Sequence, residues 1–503
     1  MTSYVWLPLA MLYGLALVGL MVYGLHCYLM LALFLSRQRR ARAAATAEIA
    51  AWRGERPPDE LPLVTLQLPV YNERTVVARL LHSVAGLDYP RHRFDVQVLD
   101  DSTDGTREVI DQATAALREA GIAVTVLRRA ERHHFKAGAL AAGLSVARGE
   151  LVAIFDADFV IPPDFLRRAV PLLEAAADIA CVQGRWGHLN RTENWLTQAQ
   201  SVGIDGHFAA EQGARSYHGL CLNFNGTAGL WRKAAIIAGG GWQGDTLTED
   251  LDLSYRVQLA GYRLRYDFDL ECPAEIPNNV LALKSQQQRW AKGSIETACK
   301  LLPRLWRSEC LGLGQKLEAT LHLTHYAVAV LMCLICVLTL PMLLWTPLPR
   351  LGWLAGLWWG AILVSALAPC VMYTGSGLVL GRPWFSLSRF PAMLVLGTGL
   401  CLNNARAVVE ALLGRRSDFV RTPKSGSTSL VHRVGAYQAA AGLRMALLEL
   451  ALGAYCAVTL VVYVGAQKYL FGCFLGAYAC GFTVLGLVTL ARGLAARRAV
   501  ATE

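Results

Sequence analysis

The sequence predicts a mostly parallel α/β domain embedded in an α-helical transmembrane protein. Three observations predict it. Long uncharged runs lie towards both ends of the chain, and most ionisable residues lie between them. In that middle stretch, short apolar runs alternate with helical patterns and end in polar, acidic loops.

Composition supports the membrane part. Of 503 residues, 54% are apolar and 17% charged, against about 25% charged in ordinary globular chains. Mean hydropathy is +0.34. Disorder, collagen-like repeats and a small disulfide scaffold are excluded. The first uncharged run, Tyr4 to Ser36, exceeds the ~20 residues that cross a bilayer. Its basic residues (Arg37, Arg39, Arg40, Arg42) follow it, so it reads as an uncleaved anchor over 1–36 and not as a secretory signal. With Arg492, Arg497 and Arg498 after the last run, the positive-inside rule puts both clusters in the cytoplasm and the N-terminus outside.

The soluble domain is expected over 61–307. Strand-like runs at Val64–Leu68, Val96–Leu99 and Leu151–Phe155 alternate with helical patterns at Thr75–Ala85, Thr106–Ala120 and Ala137–Ala147. Ligands of such sheets bind beyond the carboxyl ends of the strands, where the acidic motifs fall. An interface helix and two spans follow within 308–381, and two further spans within 445–492. The run Phe390–Ala405 ends in Asn403, Asn404 and Arg406 and is read as an interfacial helix within 390–430. Five crossings keep every basic cluster inside.

The balance of 48 basic to 38 acidic residues gives a formal charge of +10. The arginines flank apolar spans and form no aromatic-interleaved stripe, so no nucleic acid is expected as a partner. The 13 cysteines show no framework. Cys333 and Cys336 have zinc-ribbon spacing but lie in an apolar run without a second such pair, and they read as small apolar side chains with reduced thiols.

Several motifs carry chemistry. Asp156-Ala157-Asp158 follows a strand directly, and two carboxylates there can share a divalent cation and the phosphate oxygens it holds. Asp100-Asp101 closes an earlier strand in the same way, although Asp with Ser102, Thr103 and Gly105 also suits a plain turn. Thr248-Glu249-Asp250 precedes a helical run; its residues can cap that helix and also supply a general base. Gln286-Gln287-Gln288-Arg289-Trp290 gathers amides, a guanidinium and an indole of the kind that sugars stack on. Lys136 opens a helix, where a cation is misplaced unless it reaches a phosphate. No Walker loop, dinucleotide fingerprint or His-Glu-x-x-His is present, and His133 and His134 read as loop residues.

Taken in order, Leu68-Pro69-Val70-Tyr71-Asn72-Glu73, Leu99-Asp100-Asp101-Ser102-Thr103-Asp104, Lys136-Ala137-Gly138, Asp156-Ala157-Asp158, Thr248-Glu249-Asp250 and Gln-x-x-Arg-Trp at 286–290 resemble the processive family 2 glycosyltransferases of the cellulose synthase superfamily. In wording they are most similar to the plant cellulose synthase-like A and C groups, which make mannan or glucan backbones; Asn225-Gly226-Thr227-Ala228-Gly229 and Phe155-Asp156-Ala157-Asp158-Phe159 are shared phrases. The similarity covers about half the chain, Leu61 to Arg307.

The resemblance implies a GT-A fold and an inverting, metal-dependent hexosyltransferase. Tyr71 and Glu73 would hold the nucleotide base with Asp100 beside it, and Lys136 the pyrophosphate. Asp156 would bind the nucleotide-sugar and Asp158 the metal, Mg²⁺ or Mn²⁺. Asp250 takes the position of the catalytic base; Gln286 and Arg289 would bind the pyrophosphate, and Trp290 would stack on the acceptor. Phe419-Val420-Arg421-Thr422-Pro423-Lys424 resembles the gating loop of cellulose synthases, with Arg421 in place of the usual valine, so Phe419, Thr422 and Lys424 would close over the nucleotide. No cyclic-dinucleotide-binding extension follows the last span.

The function implied is polymerisation of a β-linked glycan, β-glucan or mannan, from a nucleotide-activated hexose, UDP-glucose ahead of GDP-mannose. The product would leave through the membrane helices of a multi-pass protein of the cell inner membrane with a cytoplasmic catalytic domain. Donor, growing glycan and membrane lipids are the expected partners. The alternative is a non-processive transferase that glucosylates a lipid. An inactive scaffold or transporter would show loss of an acidic motif, and none is lost.

Overall fold

The computed structural model describes residues 6–55, 57–345, 353–415 and 435–501. The first helix, α1 (Trp6–Glu55), runs unbroken for 50 residues, about 75 Å at the helical rise. The sequence reading ended the anchor at residue 36. The helix continues because residues 41–51 are rich in alanine, the strongest helix former, and its distal turns join the α/β domain. Ile49 belongs to the domain core, and Arg42 forms a two-bond ion pair with Asp269.

Seven strands form one sheet: β1 (Val64–Val70), β2 (Phe94–Asp100), β3 (Ala123–Leu127), β4 (Leu151–Ile154), β5 (Ile179–His188), β6 (Gly229–Arg232) and β7 (Arg263–Ala274), in the order β3-β2-β1-β4-β6-β5-β7. Pairing is parallel except around β6, which runs antiparallel to β4 and β5. The expected strands are β1, β2 and β4. The first two are buried along almost their whole length, as a sheet covered on both faces requires. The expected helices are α2 (Val77–Ala85), α3 (Thr106–Glu119) and α4 (Phe135–Ser145); α2 and α3 each bury one apolar face.

The second half of the domain adds α5 (Phe165–Glu174), α6 (Trp195–Gly206), a π-helical turn at His207–Gln212, α7 (Gly213–Tyr217), α8 (Lys233–Ala238), α9 (Glu249–Leu259) and the long α10 (Val280–Arg307). The membrane part then contains α11 (Leu313–Thr324), α12 (Ala327–Trp345), α13 (Trp353–Val379), α14 (Pro383–Leu412), α15 (Gly435–Gly465) and α16 (Tyr469–Ala501).

Among the described residues, six helices are long and apolar enough to cross a membrane, in α1 and α12–α16. The sixth is α14, which contains the run expected to lie in the interface. It packs against α12, α13 and α16 and also meets the α/β domain at three places. The Arg191 guanidinium lies 5.8 Å from the Phe385 ring near its start. Leu396 and Leu400 pack with Leu196, Ala199 and Leu283 in its middle. Lys292 donates to the Arg415 carbonyl just beyond its end.

The seam between α1 and the domain turns on Phe34, fully buried and stacked on Tyr217 and Phe268 at 6.3 and 5.9 Å between ring centroids. Phe34→Ala is expected to cost about 3–5 kcal/mol through the cavity it leaves, read as a lowered thermal unfolding midpoint in detergent. An unchanged midpoint would show that the helix does not depend on this seat.

Candidate active site

The carboxyl ends of β1, β2 and β4 open into one cleft, closed on the far side by α9 and α10, with an empty space of about 1320 Å³ including its open mouth. Tight turns present the side chains. After β1, Asn72 takes a left-handed conformation (φ 54°) that asparagine tolerates better than most residues. Its N–H donates to Ser102 Oγ, and its Oδ1 accepts from the Thr103 N–H. This ties the β1 and β2 loops together and leaves Tyr71 and Glu73 lining the cleft.

Asp100, expected beside the base, lies elsewhere. It is fully buried, accepts from Arg128 Nε at 2.7 Å and caps the Ser102 N–H. The next residue, Asp101, lines the cleft instead, held by a two-bond pair with Arg129. Successive side chains at a strand end point to opposite sides, so one of the pair becomes scaffold and the other lines the cleft. Arg132, not singled out in the sequence, lies with its guanidinium 3.4 Å from the centre of the Tyr71 ring, a cation–π stack in the lining of the cleft. The cationic run Arg128, Arg129, Arg132 ahead of Lys136 was the available signal.

At the centre, Lys136 Nζ contacts Asp156 Oδ1 and donates to the Gly226 carbonyl at 2.8 Å. The Asp156 N–H donates to Thr227 Oγ1, so the Asp156-Ala157-Asp158 turn is fixed to the loop entering β6. Asp158 lines the same cleft, mostly buried. That loop carries a second unforeseen element. Gly226 has φ +81°, and a Cβ there would stand 2.8 Å from Asp250 Oδ2. Asn225, before it, is clamped by Gln183, Gln212 and His207, the last two on the π-helical turn, an element often found at functional sites.

On the far wall, Thr248 packs against Gly293 of α10, and the Leu247 N–H donates to Glu296. Glu249 and Asp250 are therefore brought beside Gln286, Arg289 and Trp290, and all five line the cleft. Burial raises the Glu249 pKa. Burial and then the neighbouring Glu249 charge push Asp250 up to about 7, with Lys136 opposing. Burial by itself lowers Lys136, but Asp156, Glu249 and Asp250 outweigh it and the ammonium is held above its usual range. Burial lowers the Arg289 pKa against the pull of the same carboxylates.

Of the expected site residues, Tyr71, Glu73, Lys136, Asp156, Asp158, Asp250, Gln286, Arg289 and Trp290 thus share one cleft, and Asp100 does not line it. Phe419, Thr422 and Lys424 lie outside the described residues. Seven carboxylates and three cationic side chains line the cleft; of the carboxylates, Asp101 is paired with Arg129 and Glu275 with Arg79 from behind the lining. Asp156 and Asp158 offer oxygen donors of the kind Mg²⁺ and Mn²⁺ take. Among the described residues no group of three His, Cys, Asp or Glu side chains is placed to hold a metal ion.

Comparisons with known proteins place the domain that holds this cleft in a family. Residues 62–293 match the glycosyltransferase-like family 2. Glucomannan 4-beta-mannosyltransferase 1 of Oryza sativa subsp. japonica is 32% identical over 379 residues, covering 73% of this chain and 70% of the relative. Glucomannan 4-beta-mannosyltransferase 7 of Arabidopsis thaliana is 33% identical over 421 residues, covering 80% and 72%. Among solved structures, the mannosyltransferase PcManGT from Pyrobaculum calidifontis, in complex with GDP-Man and Mn²⁺, superposes with a TM-score of 0.50 at 21% identity, covering 77% of this chain and 100% of that one. The domain has the GT-A fold that the motifs implied. The curated relatives are named as mannosyltransferases, which is the mannan side of the expected resemblance and not the glucan side.

Two outcomes test the geometry. Gly226→Ala is expected to remove most activity while costing about 1–3 kcal/mol of stability through the left-handed backbone, since its methyl group displaces the Asp250 carboxylate; steady-state rates and an unfolding midpoint check both. A base must be ionised to accept a proton, so a pKa raised to about 7 at Asp250 means that kcat/KM falls as pH drops below about 7 and levels off above it. A profile flat down to pH 5 would remove Asp250 from that role.

Proposed function

We propose that this chain, which belongs to the family 2 glycosyltransferases of the cellulose synthase-like superfamily, transfers mannosyl residues from GDP-mannose to a growing β-linked mannan or glucomannan and passes the product between its membrane helices. The reading is carried by one observation: Asp250, beside Glu249, lines a single cleft together with Lys136, Asp156, Arg289 and Trp290. GDP-mannose replaces the UDP-glucose favoured by the motifs alone because mannosyl transfer is what the named relatives share.

In this reading Tyr71, backed by the Arg132 guanidinium, takes the base, with Glu73 and Asp101 around it. Lys136 and Arg289 meet the pyrophosphate. Asp156 and Asp158 would hold a divalent cation together with pyrophosphate oxygens, and when bound it offsets the charge of the departing nucleoside diphosphate. Trp290 stacks on the terminal acceptor sugar. Asp250 takes the proton from the acceptor hydroxyl as that oxygen bonds to the anomeric carbon and the bond to the β-phosphate oxygen breaks, releasing GDP. One displacement inverts an α-linked donor into a β-linked product. Phe419, Thr422 and Lys424 are assigned to a loop that closes over the nucleotide and excludes water.

We place the enzyme in the cell inner membrane with the catalytic domain in the cytoplasm, crossing five times with α14 along the interface. The contacts of α14 with the catalytic domain at its start, middle and end support this, as do the arginine clusters that then stay inside.

Nucleoside-diphosphate release by the full chain in detergent, across a panel of nucleotide-sugars, tests the donor. GDP-mannose should be used at least about tenfold more efficiently than UDP-glucose, and sizing should show a long mannose-containing polymer. A lipid-soluble monosaccharide adduct would replace this reading with lipid glycosylation. Asp250→Asn should abolish transfer and leave GDP binding nearly intact; surviving transfer would mean that another group is the base.

A further inference from the structure

Outside the cleft, a buried ion pair joins the catalytic domain to the membrane helices. Lys284, in the second turn of α10, places its ammonium 2.7 Å from both carboxylate oxygens of Glu449 on α15 and 2.7 Å from Thr489 Oγ1 on α16. Its three N–H donors therefore have three acceptors. The side chains of Lys284 and Glu449 are 8% and 0% exposed, and Leu283, Leu396, Leu400 and Leu485 pack in the same region. Asn403 of α14 adds a hydrogen bond to the Lys284 carbonyl. Four helices meet at one residue.

Glu449 and Thr489 lie within segments long and apolar enough to cross a membrane. Ionisable residues there are rare and usually functional. A buried ion pair adds little to stability compared with apolar residues of the same volume, and its best-attested use is to fix register. The register at issue is visible on α10. At 100° per residue, Gln286, Arg289 and Trp290 lie about 120–160° around the helix from Lys284. One face of α10 is tied to the membrane helices while the opposite face lines the cleft. A slip of one turn, about 5.4 Å, would carry Arg289 and Trp290 out of their places.

We propose that Lys284, Glu449 and Thr489 form a latch that sets the register of α10 against α15 and α16 and so positions Arg289 and Trp290 for donor and acceptor. This rests on the roles given to those two residues above. Lys284 and Glu449 are positioning residues; neither lines the cleft.

The test uses the full chain in nanodiscs with two variants. Lys284→Met with Glu449→Leu removes both charges at once, so that neither is left buried and unpaired. It should unfold near the wild-type temperature but bind GDP about tenfold more weakly or worse, with a comparable rise in KM for a short β-manno-oligosaccharide. Wild-type GDP affinity and KM in this variant would overturn the latch, because a pair that serves only stability would leave both unchanged. If that variant does not fold, Glu449→Gln decides, because it keeps the side chain's shape and one acceptor for Lys284 and removes the charge. A folded Glu449→Gln chain that binds GDP several-fold more weakly supports the latch, and wild-type affinity overturns it. A wild-type chain that binds GDP but transfers no mannose would sink the donor reading, while the affinity ratio between wild type and variant still tests the latch.

Discussion

The constraint on which the site depends is the burial of Glu249 and Asp250 side by side within reach of only a few cationic groups. Carboxylates taken out of water resist ionisation; burial raises both, and the Glu249 charge adds to the rise at Asp250. Lys136 opposes the rise from across the cleft and is itself held charged by the carboxylates around it. The result is an Asp250 carboxyl that titrates close to neutrality, at about 7.

The rest of the domain keeps those groups in range. Gly226 is a glycine because its backbone is left-handed and because Asp250 occupies the space a side chain would take. Asn225 is clamped from the π-helical turn, so the carbonyl that receives Lys136 is fixed from behind. Gly293 lets α10 approach Thr248 closely, which brings the Arg289–Trp290 face against the carboxylate pair. Each of these is a short-range steric fact with an electrostatic consequence.

The helix α10 also joins chemistry to membrane. Besides Lys284, its Lys292 reaches the carbonyl of Arg415 just past α14, and its Ser294 the carbonyl of Leu323 on α11. At the other end of the chain, α1 continues from its apolar span into the domain through Phe34, Arg42 and Ile49. The catalytic domain is therefore seated on the membrane helices by packed side chains and ion pairs, and a glycan leaving the cleft would start from a fixed point relative to them.

The sequence by itself determined the fold class and the strands that end in acidic loops, and its resemblance to a known family pointed to nine residues that line the cleft. Those features are local: apolar runs of strand length, helical periodicity and short motifs keep their meaning wherever the chain goes. It did not determine which of Asp100 and Asp101 lines the cleft, since that depends on which way the end of β2 faces. Nor did it reveal Arg132 over Tyr71, the clamp on Asn225, the helical continuation of α1 into the domain, or the meeting of Lys284 with Glu449, 165 residues apart in the chain. Only the tertiary structure decided these, because each is a contact between side chains whose separation is set by how sheet, cleft and membrane helices pack, and no local pattern encodes that distance.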